Sequence, residues 1–201
     1  MKPKYEAVVI GVSAGGTEAL STILPSLPGE FKLPIVIVQH MHPNSDNFLA
    51  KLLTEKTQLT VKEAEEKEKI TAGTIYLAPA NYHLLIEDDR TFLLSTAERV
   101  NYARPSIDVL FETAADVFGA GLIGVILTGA NSDGSQGLKR IKEKGGLTIV
   151  QDPNTADMDS MPRAALAAFA VDHVVTIDEL GAFLVKLVNR RISADTNRNN
   201  S

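Results

Sequence analysis

A serine flanked by glycines follows the first apolar run of the chain, in the segment Gly11-Val12-Ser13-Ala14-Gly15-Gly16. Gly11, Ser13 and Gly15 match the pattern G-x-S-x-G, in which a sharp turn between a strand and a helix presents a serine hydroxyl above a sheet. In such a turn the N–H of Ala14 is free to face an oxyanion, close to the positive end of the helix. The pattern predicts a nucleophilic serine.

Two other glycine-rich motifs share this spacing. A phosphate-binding P-loop has Lys followed by Ser or Thr after its last glycine, where this chain has Thr17-Glu18. A dinucleotide fingerprint has glycine at the position of Ser13 and an acidic residue after the second strand, where this chain has Gln39-His40. A nucleotide-binding domain therefore remains a rival interpretation. A titration with NAD or ATP would test it, and we expect neither nucleotide to bind.

A serine hydroxyl needs an adjacent base to accept its proton. His40 ends the second predicted strand, next to the first, and is the candidate base. His42 should face away if the strand continues, because side chains alternate with a period of two. A His-x-His pair can also bind metal, but no further His is near and acidic residues are distant, so we predict no metal and no cofactor.

A carboxylate that orients the histidine completes such a site, and two aspartates follow adjacent predicted strands. Asp133 lies in a Gly-x-x-x-Asp-Gly loop that can bring its carboxylate inward, whereas Asp152 precedes Pro153 and could cap a turn. An Asp-Gly turn is also a common structural feature, so spacing alone leaves the choice open.

The elements that must position these residues alternate between short β-branched runs and amphipathic helical runs, which is typical of parallel α/β units. Ligands of such sheets bind outside the carboxyl ends of the strands, where all the candidates stand. Short strand-like pieces within residues 59–95 predict an antiparallel hairpin or meander. We expect an α/β fold with a doubly wound, mostly parallel sheet flanked by helices, formed by residues 1–190, and a disordered tail over residues 191–201.

Composition narrows the chemistry further. The 201 residues include no cysteine, which excludes a thiol nucleophile, and the formal net charge of -5 argues against nucleic-acid binding. No segment approaches the ~18 uninterrupted apolar residues of a membrane span, and no export signal precedes the first strand. We expect a cytoplasmic protein without membrane insertion.

Taken together, six ordered blocks resemble the catalytic domain of the chemotaxis protein-glutamate methylesterases of the CheB type. The resemblance covers about residues 5–188. The blocks are Ile10 to Gly16, Gln39-His40-Met41, Ala78-Pro79 with His83, Arg104 to Phe111, Leu127-Thr128-Gly129 with Asp133-Gly134, and Gln151-Asp152-Pro153 with Met161-Pro162.

The resemblance implies a cofactor-free serine esterase that hydrolyses glutamate γ-methyl esters on the cytoplasmic helices of chemoreceptors, and that in many members also deamidates glutamines. It assigns Ser13 as nucleophile, His40 as general base and Asp133 as the orienting acid, in a chain order that differs from Ser-Asp-His of the α/β-hydrolases. The expected oxyanion or substrate contacts are Ala14, Gly15, Asn131 and Met161. The oligomeric state is not predicted.

Two departures from the family pattern qualify this interpretation. The family commonly has Gly-Met-Gly where this chain has Gly129-Ala130-Asn131, so the donor linked with that Met must come from elsewhere, for instance the Asn131 amide. One such donor contributes about 3 kcal/mol to lowering the barrier. Typical members also carry an N-terminal receiver domain that is not part of this sequence, so we expect either a stand-alone esterase or a domain cut from a longer protein. The alternatives are a catalytically weak module that docks on receptor arrays, and an esterase of the same chemistry acting on another substrate.

Overall fold

The computed structural model describes residues 5–40 and 48–189. Its strands are β1 (Ala7–Val12), β2 (Ile35–Gln39), β3 (Thr60–Glu63), β4 (Thr74–Leu77), β5 (His83–Ile86), β6 (Phe92–Ser95), β7 (Leu122–Ile126), β8 (Leu147–Gln151) and β9 (His173–Val175). Its α-helices are α1 (Gly16–Ile23), α2 (Phe48–Lys56), α3 (Ile107–Phe118), α4 (Ser135–Glu143), α5 (Ser160–Ala168) and α6 (Ile177–Asn189). Short 3₁₀ turns occupy Leu24–Ser26, Gly119–Gly121 and Pro153–Thr155.

Seven strands form one parallel sheet in the order β3-β4-β2-β1-β7-β8-β9. β1, with the sequence AVVIGV, is buried along its whole length, as expected of a strand covered on both faces. After β1 the chain builds the sheet toward β2 and β4, and after β7 it builds the sheet toward β8 and β9. The winding direction therefore reverses between β1 and β7, where doubly wound sheets leave a crevice for ligands.

Helices cover both faces of the sheet, and each face has its own hydrophobic core. Alternate residues of β1 serve the two cores: Val8, Ile10 and Val12 pack with α1 and α6, while Ala7 and Val9 face the side covered by α3 and α4. The α/β fold class predicted from the sequence is confirmed.

The stretch from residue 59 to 95 differs in detail from the predicted hairpin or meander. β5 and β6 form the antiparallel hairpin, which pairs with no other described strand and packs on α3, whereas β3 and β4 join the main sheet in parallel. The reason is burial. Ile75 and Leu77 enter one core and Tyr76 enters the other, so both faces of β4 are covered and the strand lies inside the sheet.

Other sequence predictions differ from the structure or concern residues that the structure does not describe. The sequence predicts a last strand over Val174 to Ile177 and a helix capped by Asp178. The strand instead ends at Val175 and α6 begins at Ile177, so Asp178 lies in the first turn of the helix. Ser45 is predicted from the sequence to cap the second helix. It lies outside the described residues, as do His42 and the predicted tail of residues 191–201. Within residues 5–40 and 48–189, no helix has the length and apolar character to cross a membrane.

Candidate active site

Three neighbouring strands bring the candidate catalytic side chains together. Ser13 directly follows β1, His40 directly follows β2, and Asp133 lies in the loop after β7. Because β2, β1 and β7 are adjacent and parallel, their carboxyl ends meet at one edge of the sheet. The candidates are 27 and 93 residues apart along the chain, and only the strand order makes them neighbours.

The turn that holds Ser13 is fixed at both ends. The Ser13 N–H donates to the Thr128 carbonyl at 2.9 Å, which ties the turn to the end of β7. Gly15 has a φ of +79°, a left-handed conformation that favours glycine, and it is the N-cap residue of α1. Ala14 is exposed, and its N–H has no acceptor within the part of the chain that the structure describes. The turn therefore has the geometry of a nucleophile elbow with one free backbone donor.

A glutamine at the end of β2 joins the serine loop to the histidine loop. The Gln39 Nε2 donates to the Ser13 carbonyl at 2.8 Å and to the His40 carbonyl at 3.0 Å. Sequence reasoning gave Gln39 no role beyond the absence of an acid. The sequence feature that could have identified it is an amide residue at the carboxyl end of an otherwise apolar strand. In the structure, Gln39 is buried and 9% exposed.

Ser13, His40 and Asp133 form a continuous chain of polar contacts. The Ser13 Oγ lies 3.2 Å from His40 Nδ1, and His40 Nε2 lies 2.8 Å from Asp133 Oδ2. The Asp133 side chain is fully buried and that of His40 is 12% exposed. A carboxylate can only accept, so Nε2 carries the proton and Nδ1 presents a lone pair to the serine hydroxyl. This arrangement can activate a serine for attack on a carbonyl carbon.

The first turn of α3 holds the Asp133 carboxylate in its charged form. The Ile107 N–H donates to Oδ2 at 2.7 Å, and the Asp108 N–H donates to Oδ1 at 3.2 Å. Burial pushes the pKa of Asp133 upward, but the hydrogen bonds from His40, Ile107 and Asp108 outweigh it and leave the pKa below its usual value. The acid therefore remains ionised beside the imidazole.

Further polar side chains support this carboxylate, and the sequence assigned no role to two of them, Ser106 and Asn101. Ser106 Oγ donates to Asp133 Oδ1 at 2.9 Å, and Asn101 Nδ2 donates to the same oxygen at 3.2 Å. The buried His83 accepts from the Ser106 N–H at 3.2 Å and donates from Nε2 to the Glu98 carbonyl at 2.9 Å. The only sequence feature that pointed to this region was the resemblance of the Arg104 to Phe111 block to the family. That resemblance does not reveal which groups its polar residues contact.

Asn131 lies beside the histidine. Its Oδ1 accepts the Asp133 N–H at 3.1 Å, which fixes the amide orientation, and its Nδ2 lies 3.2 Å from His40 Nδ1. An amide nitrogen carries two hydrogens, so one remains available for another acceptor. Asn131 is exposed, at the mouth of the site.

Met161 lies beneath the serine turn. It is 1% exposed, and a Cβ added to Gly129 would fall 1.9 Å from its Sδ and 2.9 Å from the Ser13 Cβ. Its N–H donates to the Gly129 carbonyl at 2.9 Å. Met161 thus packs against the backbone that borders Ser13, and its expected contact with substrate stays a prediction.

The second aspartate and the remaining histidines are engaged elsewhere. Asp152 Oδ1 accepts the Asn154 N–H at 2.9 Å and caps the 3₁₀ turn that follows β8. From the sequence, His83 and His173 are expected to be structural or exposed. His83 is buried, and the His173 ring packs edge-on against Phe183, with 5.0 Å between ring centres. Among the described residues, no group of three or more His, Asp or Glu side chains is placed to hold a metal ion.

Comparisons with known proteins agree with this geometry. A family model described as CheB methylesterase matches residues 8–184. A putative protein-glutamate methylesterase/protein-glutamine glutaminase of Leptospira interrogans is 58% identical over 183 residues, which are 91% of this chain and 95% of the relative. A protein-glutamate methylesterase/protein-glutamine glutaminase of Pyrococcus horikoshii is 39% identical over 189 residues, and the match covers 92% of this chain but 51% of that protein.

A solved structure gives the same result. The crystal structure of the Thermotoga maritima CheB methylesterase catalytic domain matches with a TM-score of 0.88 at 36% identity. The match covers 92% of this chain and 99% of that one. The chain therefore spans nearly the whole of the Leptospira relative and of this catalytic domain, and about half of the Pyrococcus protein.

Proposed function

Because the chain belongs to the CheB methylesterase family, we propose that it is a serine hydrolase that removes methyl groups from glutamate γ-methyl esters on the cytoplasmic helices of chemoreceptors. The observation that carries the proposal is the contact chain from Ser13 Oγ through His40 to the buried Asp133 carboxylate. Since those helices lie inside the cell, we place the reaction in the cytoplasm.

The proposed reaction has two stages. Ser13 Oγ attacks the ester carbonyl carbon while His40 Nδ1 accepts the hydroxyl proton, and Asp133 stabilises the imidazolium that forms. The C–O bond to the methoxy group then breaks, and His40 returns the proton so that methanol leaves. In the second stage, His40 takes a proton from water and the resulting hydroxide attacks the acyl-enzyme carbonyl carbon. The bond from that carbon to Ser13 Oγ then breaks as His40 returns the proton to Oγ, and the freed glutamic acid loses its own proton to solvent and leaves as the carboxylate.

Negative charge on the carbonyl oxygen needs donors in the transition state. The Ala14 N–H has no acceptor among residues 5–40 and 48–189, lies next to the nucleophile and near the start of α1, and is the proposed principal donor. Gly15 offers the next N–H of the same turn. The second hydrogen of the Asn131 amide is the proposed additional donor.

The same groups can hydrolyse a side-chain amide. Attack on a glutamine carbonyl would release ammonia instead of methanol, with His40 protonating the departing nitrogen. The Leptospira and Pyrococcus relatives are named for both activities, which supports deamidation as a second reaction of this site.

Substitution of the nucleophile tests the proposal. We expect Ser13→Ala to abolish measurable methanol release from a methylated receptor fragment, with kcat lowered about 10⁶-fold, because no acyl-enzyme can form. Release is measured as free methanol or as loss of labelled methyl groups. Ser26→Ala, an exposed serine on the turn after α1, is the matched control and should retain activity. Turnover by Ser13→Ala at the wild-type rate would refute the assignment.

The other candidates from the sequence lead to different results in the same assay. A docking module would bind the receptor fragment without releasing methanol or ammonia. An esterase for another substrate would lose activity on a generic ester with Ser13→Ala and show none on the receptor fragment. Family membership and the assembled contact chain favour the methylesterase over both.

A further inference from the structure

A tight turn overhangs the acid of the proposed triad. The Val100 N–H donates to the Ala103 carbonyl at 3.1 Å, and the Ala103 N–H donates back to the Val100 carbonyl at 2.9 Å. The two residues between them, Asn101 and Tyr102, have φ values of +50° and +63°. A two-residue turn with positive φ at both central positions favours Asn first and Gly second. A tyrosine at the second position is therefore conformationally unfavourable.

The first of these residues points into the site. Asn101 Nδ2 donates to Asp133 Oδ1 at 3.2 Å and to Asp108 Oδ2 at 3.0 Å. The Arg104 guanidinium holds the other side of the loop, because it donates to the Thr96 carbonyl at 2.7 Å and to Asn81 Oδ1 at 2.9 Å. The turn is thus fixed above the carboxylate that contacts His40.

The second residue points away from the protein. Tyr102 is 96% exposed, the highest value among the exposed large hydrophobic side chains of the described residues. Met158 is also exposed, at 43%, and its backbone pairs with Thr128 Oγ1 and with the Gly129 N–H, in the loop whose Thr128 carbonyl accepts the Ser13 N–H. Exposed apolar side chains therefore lie on a loop that contacts Asp133 and on a loop that contacts the serine turn.

We propose that Tyr102 is a substrate-recognition residue, whose ring packs against aliphatic side chains next to the modified glutamate on the receptor helix. The inference rests on the proposed function. A tyrosine occupies a backbone position suited to glycine, presents its whole ring to water, and follows a residue that bonds to the acid of the site. Burying such a ring on a partner is a strong source of binding free energy, because aromatic anchors dominate protein interfaces.

The test compares two substrates and three variants. The substrates are a helical chemoreceptor fragment that carries glutamyl γ-methyl esters, and N-acetylglutamate γ-methyl ester, which has no flanking helix. Tyr102→Gly removes the ring and suits the positive φ, so it should fold with an equal or higher Tm. Tyr102→Phe keeps the ring. Val174→Ala is the control, since Val174 is 49% exposed on the edge strand β9.

We expect Tyr102→Gly to raise KM for the receptor fragment at least tenfold, which corresponds to about 1.4 kcal/mol, with kcat within about twofold of wild type. Turnover of the small ester should be unchanged. Tyr102→Phe should stay within about threefold of wild type, and Val174→Ala should match it.

Three results would overturn the inference: an unchanged KM in Tyr102→Gly, an equal rise in Val174→Ala, or an equal loss on both substrates. The last result would mean that the residue acts on the catalytic groups through Asn101. Failure of the proposed function looks different, because the folded wild-type protein would then release no methanol from the receptor fragment, whether or not it hydrolyses the small ester.

Discussion

The two ring nitrogens of His40 face different kinds of hydrogen-bonding group: one faces an acceptor, and the other faces two donors. Nε2 lies against the buried Asp133 carboxylate, while Nδ1 has Ser13 Oγ and Asn131 Nδ2 both at 3.2 Å. Two donors therefore share one lone pair in the free protein. A carbonyl oxygen that carries developing negative charge is a stronger acceptor than a neutral imidazole, so substrate gives the Asn131 amide a second partner.

Asp133→Asn should lower kcat for methanol release about 10⁴-fold. The new amide can present its nitrogen to His40 Nε2, which must then accept, and Nδ1 carries the hydrogen in front of Ser13. The base is thereby placed in the wrong tautomer. Asp152→Asn is the matched control and should retain wild-type kcat, because Asn can still accept the Asn154 N–H. A larger loss in Asp152→Asn than in Asp133→Asn would contradict the assignment of the acid.

At the scale of elements, the first turn of α3 donates hydrogen bonds to the Asp133 carboxylate and also contacts α4. Asp108 is 5% exposed, and its Oδ1 accepts the Gly137 N–H of α4 at 2.7 Å. Burial raises the pKa of Asp108; the hydrogen bond from Gly137 opposes the rise, and the nearby charges of Asp133 and Glu112 add to it. The resulting pKa is about 6.

This pKa predicts an unusual dependence of stability on pH. A carboxyl whose folded-state pKa lies above the ordinary 3.8 favours the folded protein at low pH, and the benefit disappears as pH rises through about 6. Between pH 4 and pH 7 the free energy of unfolding of the wild type should therefore fall relative to Asp108→Asn, by up to about 3 kcal/mol. Urea denaturation at several pH values measures the difference.

An exposed carboxylate provides the control for this profile. Asp116 pairs with Lys144 at 2.8 Å, and the hydrogen bonds from Lys144 and Arg140 lower its pKa. Asp116 therefore stabilises the fold above its ordinary pKa and loses this effect as pH falls, so Asp116→Asn should show the opposite trend. A difference between wild type and Asp108→Asn that does not vary with pH would refute the role of Asp108.

At the scale of the whole molecule, the serine turn depends on packing between distant parts of the chain. Gly129 follows β7 and lies between the Ser13 Cβ and Met161 of α5, because a Cβ added to Gly129 would meet both side chains. Gly129 leaves no space for a side chain, because an added Cβ would overlap the Met161 Sδ. The position of the proposed nucleophile is thus set jointly by the turn after β1, the end of β7 and α5.

A double-mutant cycle tests this packing. Gly129→Ala should cost about 1–3 kcal/mol of unfolding free energy through overpacking, and Met161→Ala about 2–5 kcal/mol through the cavity it leaves. The double variant should be more stable than the sum of these losses predicts, by about 1 kcal/mol or more, since the cavity admits the new methyl group. Gly129→Ala combined with Leu184→Ala, which lies in the other core, should be additive. Additivity in the first pair would contradict the contact.

Several features were determined by the sequence alone. Fully apolar runs such as Ala7–Val12 specify strands covered on both faces, and the alternation with helical periodicity specifies the α/β class. The glycine-flanked Ser13 and the strand-end His40 are local signals, because turns and strand ends are encoded within a few residues. The strand pairing within residues 59–95 was not determined by the sequence, because a strand of four residues does not reveal whether it pairs in parallel or antiparallel.

Only the tertiary structure decided which polar groups meet. Spacing left Asp133 and Asp152 open, and although the resemblance favoured Asp133, its contact with His40 spans 93 residues and follows from the order of β2, β1 and β7. The support from Asn101 and Ser106 likewise arises where the loop before α3 crosses the end of β7. Local propensity encodes the elements, whereas contacts between loops depend on how complete strands pair and helices pack, which no short stretch of sequence contains.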